Sequence, residues 1–400
     1  MLVTSCGGGG GNLGALDDDA GGSGGSSDSG GSGGCTYVLS EDISSPTTLV
    51  NTASYCDYEL DGWVEVRSVL NIEPGVVVQA KADARIVVDG GEVQADGTAQ
   101  NRIVFEGLSH VSGYWRGIDI IGGRASVFDH VDVKDAGQVC HISFCPDAGF
   151  IIDDISISIT NTTVSNSYVH GMSIFDDVNL TAFSNNRFFG NVWAGLVIEA
   201  ELVPILDSDS DYLGVGDENG QPFVRISSGR QERGEVFRWK SLNAPYFIGS
   251  YFYVEGGILY LEPGVEIVFG EDAWLNVEGN GVIQSMGTEG SPNLFRGLVE
   301  QPGYWDGIEL YDSPWPENTF SYTTISHTGS LENLSSTYAA LRLEESQVTL
   351  IRSRFVDNDQ WGIWCNEDRH PYEPSIIYDG LGNQFVRNRA GDYSANCRIR

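Results

Sequence analysis

Lysine is almost missing from this chain. Only 3 of its 22 basic residues are Lys, and those bases face 56 acids. The formal charge is −34 and the isoelectric point about 4.2. Phosphate and anionic headgroups need a basic face, so nucleic acid and an anionic lipid surface are excluded as partners. No apolar run reaches the roughly 18–20 residues that a membrane-spanning helix needs. A sustained 3.6-residue periodicity is missing too, which excludes a helix bundle. What the 400 residues have instead is glycine, 51 of them, and short bursts of strand formers. The length allows one large domain or two medium ones.

Seven cysteines are present: Cys6, Cys35, Cys56, Cys140, Cys145, Cys365 and Cys397. None sits in a CxxC or beside a His pair, so the spacings are not those of zinc sites. Val3-Thr4-Ser5-Cys6 resembles a bacterial lipobox, in which the Cys is lipidated and becomes the mature N-terminus. Residues 7–34 follow with 14 Gly in 28 positions, plus Ser and four Asp. Such a composition cannot bury a core and reads as a disordered tether spanning roughly 30 Å. Too little precedes Cys6 for an export signal, so a signal peptide is expected upstream of the given start. The other six cysteines allow 15 connectivities. Pairing by proximity gives Cys35–Cys56, Cys140–Cys145 and Cys365–Cys397. Oxidised structural cysteines fit an envelope or extracellular location.

The strongest signal is internal repetition. Leu70, Glu73, Pro74, Gly75, Val76 and Ala84 recur 189 residues later as Leu259, Glu262, Pro263, Gly264, Val265 and Ala273. After one inserted residue, Gly97-Thr98 matches Gly287-Thr288, and Gly113-Tyr114-Trp115 matches Gly303-Tyr304-Trp305. Gly117-Ile118 then matches Gly307-Ile308. Within each copy, apolar pairs such as Leu70/Ile72, Val76/Val78 and Ile86/Val88 alternate over three to five residues. Alternation of that length marks a strand with one inward face. Gly, Asn, Asp or Pro-Gly turns separate the bursts. Three short strands and three turns per coil describe a parallel β-helix, coils stacking at about 4.8 Å. Asn161, Asn166, Asn186, Asn191, Asn358 and Asn388 fall at the ends of bursts. They suit left-handed turns, or amides stacked along the ladder.

The EPGV strand, the GT turn, the YWxGI segment and the TNTTVSNS-type coils resemble bacterial secreted right-handed parallel β-helix proteins of pectin-lyase-like fold. The resemblance covers nearly all of residues 50–400. It implies an all-β solenoid built as two tandem copies of one unit: a tether over 1–34, a first unit over 35–215 and a second over 216–400. It leaves activity open, since one fold hosts many functions.

Three constellations bear on chemistry. Phe128-Asp129-His130 resembles a run of pectate lyases, but the second copy has Phe320-Ser321-Tyr322 there. Asp153-Asp154 with His170 resembles the acid pair and histidine of polygalacturonases. The second copy carries Glu344-Glu345 and Trp361 in those places. Paired acids perform inverting hydrolysis when about 6.5–9.5 Å apart, yet neighbours on a strand point to opposite faces. Asp207, Asp209, Asp211 and Glu218 copy the spacing of an EF-hand, with calcium the implied cofactor. Tyr212 stands where that loop needs Gly, and a solvated acidic linker is the competing reading. Tyr114-Trp115 and Tyr304-Trp305 read as structural by their duplication, whereas Trp361 and Trp364 are the better candidates for an exposed aromatic pair.

Taken together, the sequence describes a lipid-anchored protein at the outer surface of the cell envelope, or extracellular, with a binding or structural role. Its expected partner is a carbohydrate or another envelope component, with membrane contact only through the lipid on Cys6. The rival is a secreted polysaccharide lyase or glycoside hydrolase. The two are separated by whether several acids and an Arg or Lys converge on one surface. Expressed behind a complete export signal, the chain should incorporate labelled fatty acid and the Cys6→Ser variant should not. Label retained by Cys6→Ser would refute the anchor.

Overall fold

The computed structural model describes residues 34–137, 148–175, 177–227, 229–231, 234–329, 339–366, 375–380 and 382–400. Residues from Gly34 to Arg400 form one compact unit, a right-handed parallel β-helix. Among the described residues one short 3-10 helix, Ala200–Ile205, accompanies the strands. No helix there is long and apolar enough to cross a membrane.

Each coil contributes one short strand to each of three faces, and among the described residues the paired strands run parallel. The apolar alternation sets which side chains point in. Leu70 and Ile72 lie beside Val93 and Ala95, and Val78 beside Tyr58 and Phe105. All are buried, as are Val76, Leu259, Leu261, Val265 and Ile267. Like side chains thus stack into continuous columns, and a single core runs the length of the solenoid. Burial on that axis is the main stabilising term of the fold. Pro74-Gly75 and Pro263-Gly264 form turns, with φ of 86° and 88° at the glycines.

Five sheets result. The first half owns two: one containing Val77–Ala80 and one containing Val69–Ile72. The second half owns two others, which contain Trp274–Glu278 and Ile258–Leu261. A fifth sheet of 13 strands runs through both halves as a spine. Its strands are not equivalent in the repeat. In the first copy the spine takes Arg85–Val88, the strand after the Pro-Gly strand. In the second it takes Glu266–Phe269, the Pro-Gly strand itself. The second copy therefore continues the solenoid one face out of phase, a third of a turn in a three-faced coil.

The phase change is made by residues 199–223. Val224–Ile226 pairs with Leu196–Ile198 and keeps the spine continuous. The 3-10 helix packs between the last strand of one first-half sheet and the first strands of the second-half sheets. Asp211 bridges to Arg187 and closes the other first-half sheet.

Corners are held by buried amides. Asn186 Oδ1 accepts from Thr162 N–H at 3.0 Å, and its Nδ2 donates to Ile159 O at 3.0 Å. Asn191 repeats this with Ser167 and Val164 and donates to Asn219 Oδ1 at 2.8 Å. Asn358 and Asn388 continue the pattern in the second half. Of the six asparagines, only Asn161 and Asn166 take the left-handed conformation, with φ of 51° and 55°. The other four satisfy backbone groups that the corner removes from the ladder.

The YWxGI segment is structural. Trp115 and Trp305 are buried, and their indole N–H groups donate to Lys134 O and Ser326 O, both at 2.7 Å. Trp305 lies flat on Phe269 with ring centroids 3.9 Å apart. Gly307 has φ of 115°, and a Cβ there would meet Ala339 O at 2.4 Å. Disulfides join Cys35 to Cys56 and Cys365 to Cys397, one near each end of the described unit. Terminal coils lack a covering neighbour, so covalent ties there oppose fraying. Truncating the internal aromatic should cost heavily: Trp305→Ala should lower unfolding stability by about 3–5 kcal/mol. Chemical denaturation of the purified variant checks this, and a loss below ~1 kcal/mol would contradict the core assignment.

Candidate functional site

The sequence-selected residues do not assemble into a single centre. Asp129 ends the strand Ser126–Asp129 and His130 forms the next turn, with φ of 51°. The Asp129 carboxylate accepts from Thr160 Oγ1 at 2.6 Å, Asn161 Nδ2 at 2.7 Å and His130 Nδ1 at 3.0 Å. Burial alone would raise its pKa, but the hydrogen bonds from Asn161, Thr160 and His130 hold it below the ordinary value. It is a corner clamp between coils.

Asp153 and Asp154 follow the spine strand Ala148–Ile152, and His170 opens the neighbouring strand His170–Ile174. The register sets Ala148 beside His170 and Ile152 beside Ile174. His170 and Asp153 therefore lie at opposite ends of the strand pair, roughly 16 Å apart along it at about 3.3 Å per residue. Asp154 is exposed, in a left-handed turn with φ of 44°. His170 is half-buried, accepts the Ala194 N–H on Nδ1 at 3.1 Å and meets the Trp193 ring at 5.0 Å.

The Asp207–Glu218 loop is a seal at the phase change. Asp211 accepts from Gly214 N–H at 2.9 Å, Val215 N–H at 3.0 Å and Asn243 Nδ2 at 2.7 Å. Asp207 Oδ1 accepts from Ser210 Oγ and lies 3.3 Å from Tyr212 Oη. Asp209 and Glu218 are exposed. Among the described residues no three His, Cys, Asp or Glu side chains are grouped to hold a metal. Cys6, Cys140 and Cys145 lie outside the described residues.

Charged chemistry gathers instead on the outer face of the second-half sheet containing Trp274–Glu278. Register places Tyr253, Asn276, Glu309, Arg342 and Trp364 side by side in one row. Glu255, Glu278, Tyr311 and Glu344 form the next row. On the other side lie Tyr251, Trp274 and Gly307. Strand alternation explains the arrangement. Ile308, Leu310, Leu341 and Leu343 point into the core, so Glu309, Arg342 and Glu344 must point out.

Although outward, the row is covered: Asn276 is 5 %, Glu309 7 %, Arg342 9 % and Glu344 7 % exposed. Arg342 pairs with Glu309 Oε1 and with Glu344 Oε2, each at 3.0 Å, and its guanidinium faces the Trp364 ring at 5.2 Å. Burial raises the Glu309 pKa, Arg342 opposes this, and Glu344 and Glu278 add to it, so the carboxyl sits above its ordinary value. Asn276 Nδ2 donates to Glu278 Oε2 at 2.9 Å, while its buried Oδ1 has no partner. The buried Trp274 Nε1 beside it has none either.

Sequence reasoning reached the edges of this cluster through Glu344 and Trp364 and missed Asn276, Glu309 and Arg342. Their signal is charge at the outward positions of otherwise apolar strands, as in Ala339–Glu344. That pattern is shared with any solvated strand face, so only the fold reveals the cover over it. Trp361, the other tryptophan of the pair, packs over Gly391, where a Cβ would come within 3.0 Å of its ring.

The His170 environment predicts acid sensitivity. Burial, and then the charge of Arg225, lowers its pKa from 6.5 to about 4. The unfolded chain takes up this proton near 6.5, so the imidazole's contribution is complete above that pH and is lost as pH falls toward 4. The loss is on the order of 2–3 kcal/mol. Denaturant titrations at several pH values should show a shallower loss in this window for His170→Asn than for the unaltered chain. Superimposable profiles would refute it.

No protein-family model matches the sequence, and no curated protein matches it. Among solved structures, a similar chain is the A-module of mannuronan C-5 epimerase AlgE6 from Azotobacter vinelandii. The identity is 12 %, the match covers 91 % of this chain and 90 % of that one, and the TM-score is 0.24.

Proposed function

We propose that this protein binds carbohydrate, using the outer face of the sheet that contains Trp274–Glu278. The observation that carries the reading is the covered row Asn276–Glu309–Arg342, flanked by Tyr253, Trp274 and Trp364. Sugar rings present apolar C–H faces and a rim of hydroxyls. Aromatic rings match the first. Paired carboxylates, a guanidinium and an amide match the second. The two disulfides support an oxidising compartment, which suits display at the envelope or outside the cell, anchored through Cys6.

Cleavage of the bound chain is a second reading, favoured by Glu309. A carboxyl whose pKa is raised by burial is suited to act as a general acid, and further acids and an arginine stand beside it. A glycan array probed with the full chain, run beside a panel of soluble polysaccharides, tests both readings. Binding should weaken at least about tenfold in Trp364→Ala, with the melting temperature reporting whether the fold is kept. Retained binding in that variant would remove the site from this face. Release of reducing ends that stops in Glu309→Gln would establish cleavage.

A further inference from the structure

We infer that the second copy holds a further sugar-binding cleft, built around Trp315 on the adjoining face, and that the ligand is a polysaccharide long enough to engage this cleft and the Trp274–Glu278 face together. The inference rests on the proposed carbohydrate reading and adds a second contact and a length to its ligand. Trp315 has no counterpart in the first copy. Phe128 follows Gly117 by 11 positions, whereas Phe320 follows Gly307 by 13. The two extra residues fall between the strands Gly307–Tyr311 and Thr319–Ser321, in a loop that carries Pro314, Trp315 and Pro316. The first copy has Gly122, Gly123 and Arg124 in that loop. Core packing accounts for the duplicated Trp115 and Trp305, but Trp315 is 44 % exposed.

The loop presents this ring on a fixed support. Pro314 and Pro316 restrict the backbone on both sides of it. Asn318 is fully buried, and its Nδ2 donates to Ser313 Oγ at 2.7 Å and to Trp315 O at 3.2 Å. Its Oδ1 accepts the Ile283 N–H at 2.9 Å, and Thr349 Oγ1 donates to Pro316 O at 3.0 Å. A platform held in place before the ligand arrives loses little conformational freedom on binding.

Trp315 borders a cleft of about 390 Å³. Ile258 and Val282, side by side at outward positions, give it an apolar lining. Glu235, Asn280, Gln284 and Glu317 give it a polar one. Their side chains form no hydrogen bond or ion pair with any described residue. Arg238 stands two strands from Gln284 in the same row, its guanidinium over the Tyr260 ring at 4.2 Å. A pyranose matches this lining. Its C–H face fits the indole and the aliphatic pair. Its hydroxyls, each a donor and an acceptor, find acceptors in the carboxylates and both functions in the amides. The volume lies at the small end of the range for ligand sites, about 300–1,000 Å³, so about one or two units of a polymer enter it.

The cleft and the proposed face meet at one corner of the coil. Glu278 ends the strand Trp274–Glu278, and Asn280 of the cleft comes two residues later. Gly256 of the cleft follows Glu255, which the register sets beside Glu278. Gly256 and Gly279 bear no side chain that would stand between the two surfaces. At about 3.3 Å per residue, the chain from Asn276 to Val282 covers at most roughly 20 Å, a span that a few linked sugars bridge. A polymer that reaches both surfaces gains affinity, because its second contact forms within an existing complex.

Isothermal titration of the full chain tests this. The probes are the dimers and hexamers of β-1,4-linked glucose, mannose and N-acetylglucosamine. A hexamer should bind at least about tenfold more tightly than its dimer. Trp315→Ala should remove most of that advantage, and Gln284→Ala, at the other side chain of the lining, should reduce it several-fold. Both changes lie on the outer surface, and thermal melting should show the fold kept. Hexamer binding lost in Trp364→Ala and untouched by Trp315→Ala would overturn the cleft and leave the proposed face standing. Binding lost in Trp315→Ala and untouched by Trp364→Ala would support the cleft as a site and overturn its link to the face. Equal affinity for dimer and hexamer would overturn the inferred length. Absence of binding by every probe would overturn both readings together.

Discussion

Strand ladders between successive coils fix everything else in this molecule. Each coil lies about 4.8 Å from the next, and its strands are locked in register by backbone hydrogen bonds. A residue's position in the coil therefore decides its face, its neighbours above and below, and whether it is inside. Leu70 lies between Thr47 and Val93, and Glu309 between Asn276 and Arg342. Core columns, corner amides and the charged outer row all follow from that translation.

The corner amides show how the constraint is satisfied where the ladder is interrupted. Backbone N–H groups at Thr162, Ser167 and Thr328 turn inward at corners and would be buried without a strand partner. Asn186, Asn191 and Asn358 supply the acceptor in each case. Replacing any of them by an apolar residue would leave a buried donor unpaired, an outcome costlier than the bond itself is worth. The fold thus depends on polar side chains inside its corners as well as on aliphatics inside its faces.

The two halves differ in phase and in the side chains at their outward positions. The spine is shared, but each half contributes a different face of the repeat to it. The first copy's Asp119 corresponds to Glu309, and it too is buried on an outward position, paired with Arg85. Register sets Ile151 beside Asp119, whereas it sets Arg342 beside Glu309. One copy thus ends in a single ion pair beside an aliphatic. The other sets Glu309 beside Arg342, with Glu278 and Glu344 in the neighbouring row. Divergence at outward positions leaves the core columns untouched, which is why the repeat stays visible in the sequence.

Much of the architecture was determined by the sequence alone. Two-residue alternation, the Pro-Gly and Gly-Thr turns and the 189-residue recurrence specify a parallel solenoid, because only one side of each short strand can be apolar if coils stack. The burial of Leu70, Ile72, Val76 and Val78 follows directly, and so does the structural role of the duplicated YW pair. The third-of-a-turn phase change was decided only in three dimensions, since residues 199–223 carry no repeat signal. The same holds for the acids. Asp207 and Asp211 have the spacing of metal ligands in one dimension, and in the fold their carboxylates accept hydrogen bonds from Ser210, Gly214, Val215 and Asn243. Glu309 and Arg342 look like ordinary solvated strand positions and become a covered ion cluster. The physical reason is common to both cases. Spacing along a chain reports which residues share a strand face, but the neighbours that bury, pair or orphan a polar group come from the coils above and below, about thirty residues away.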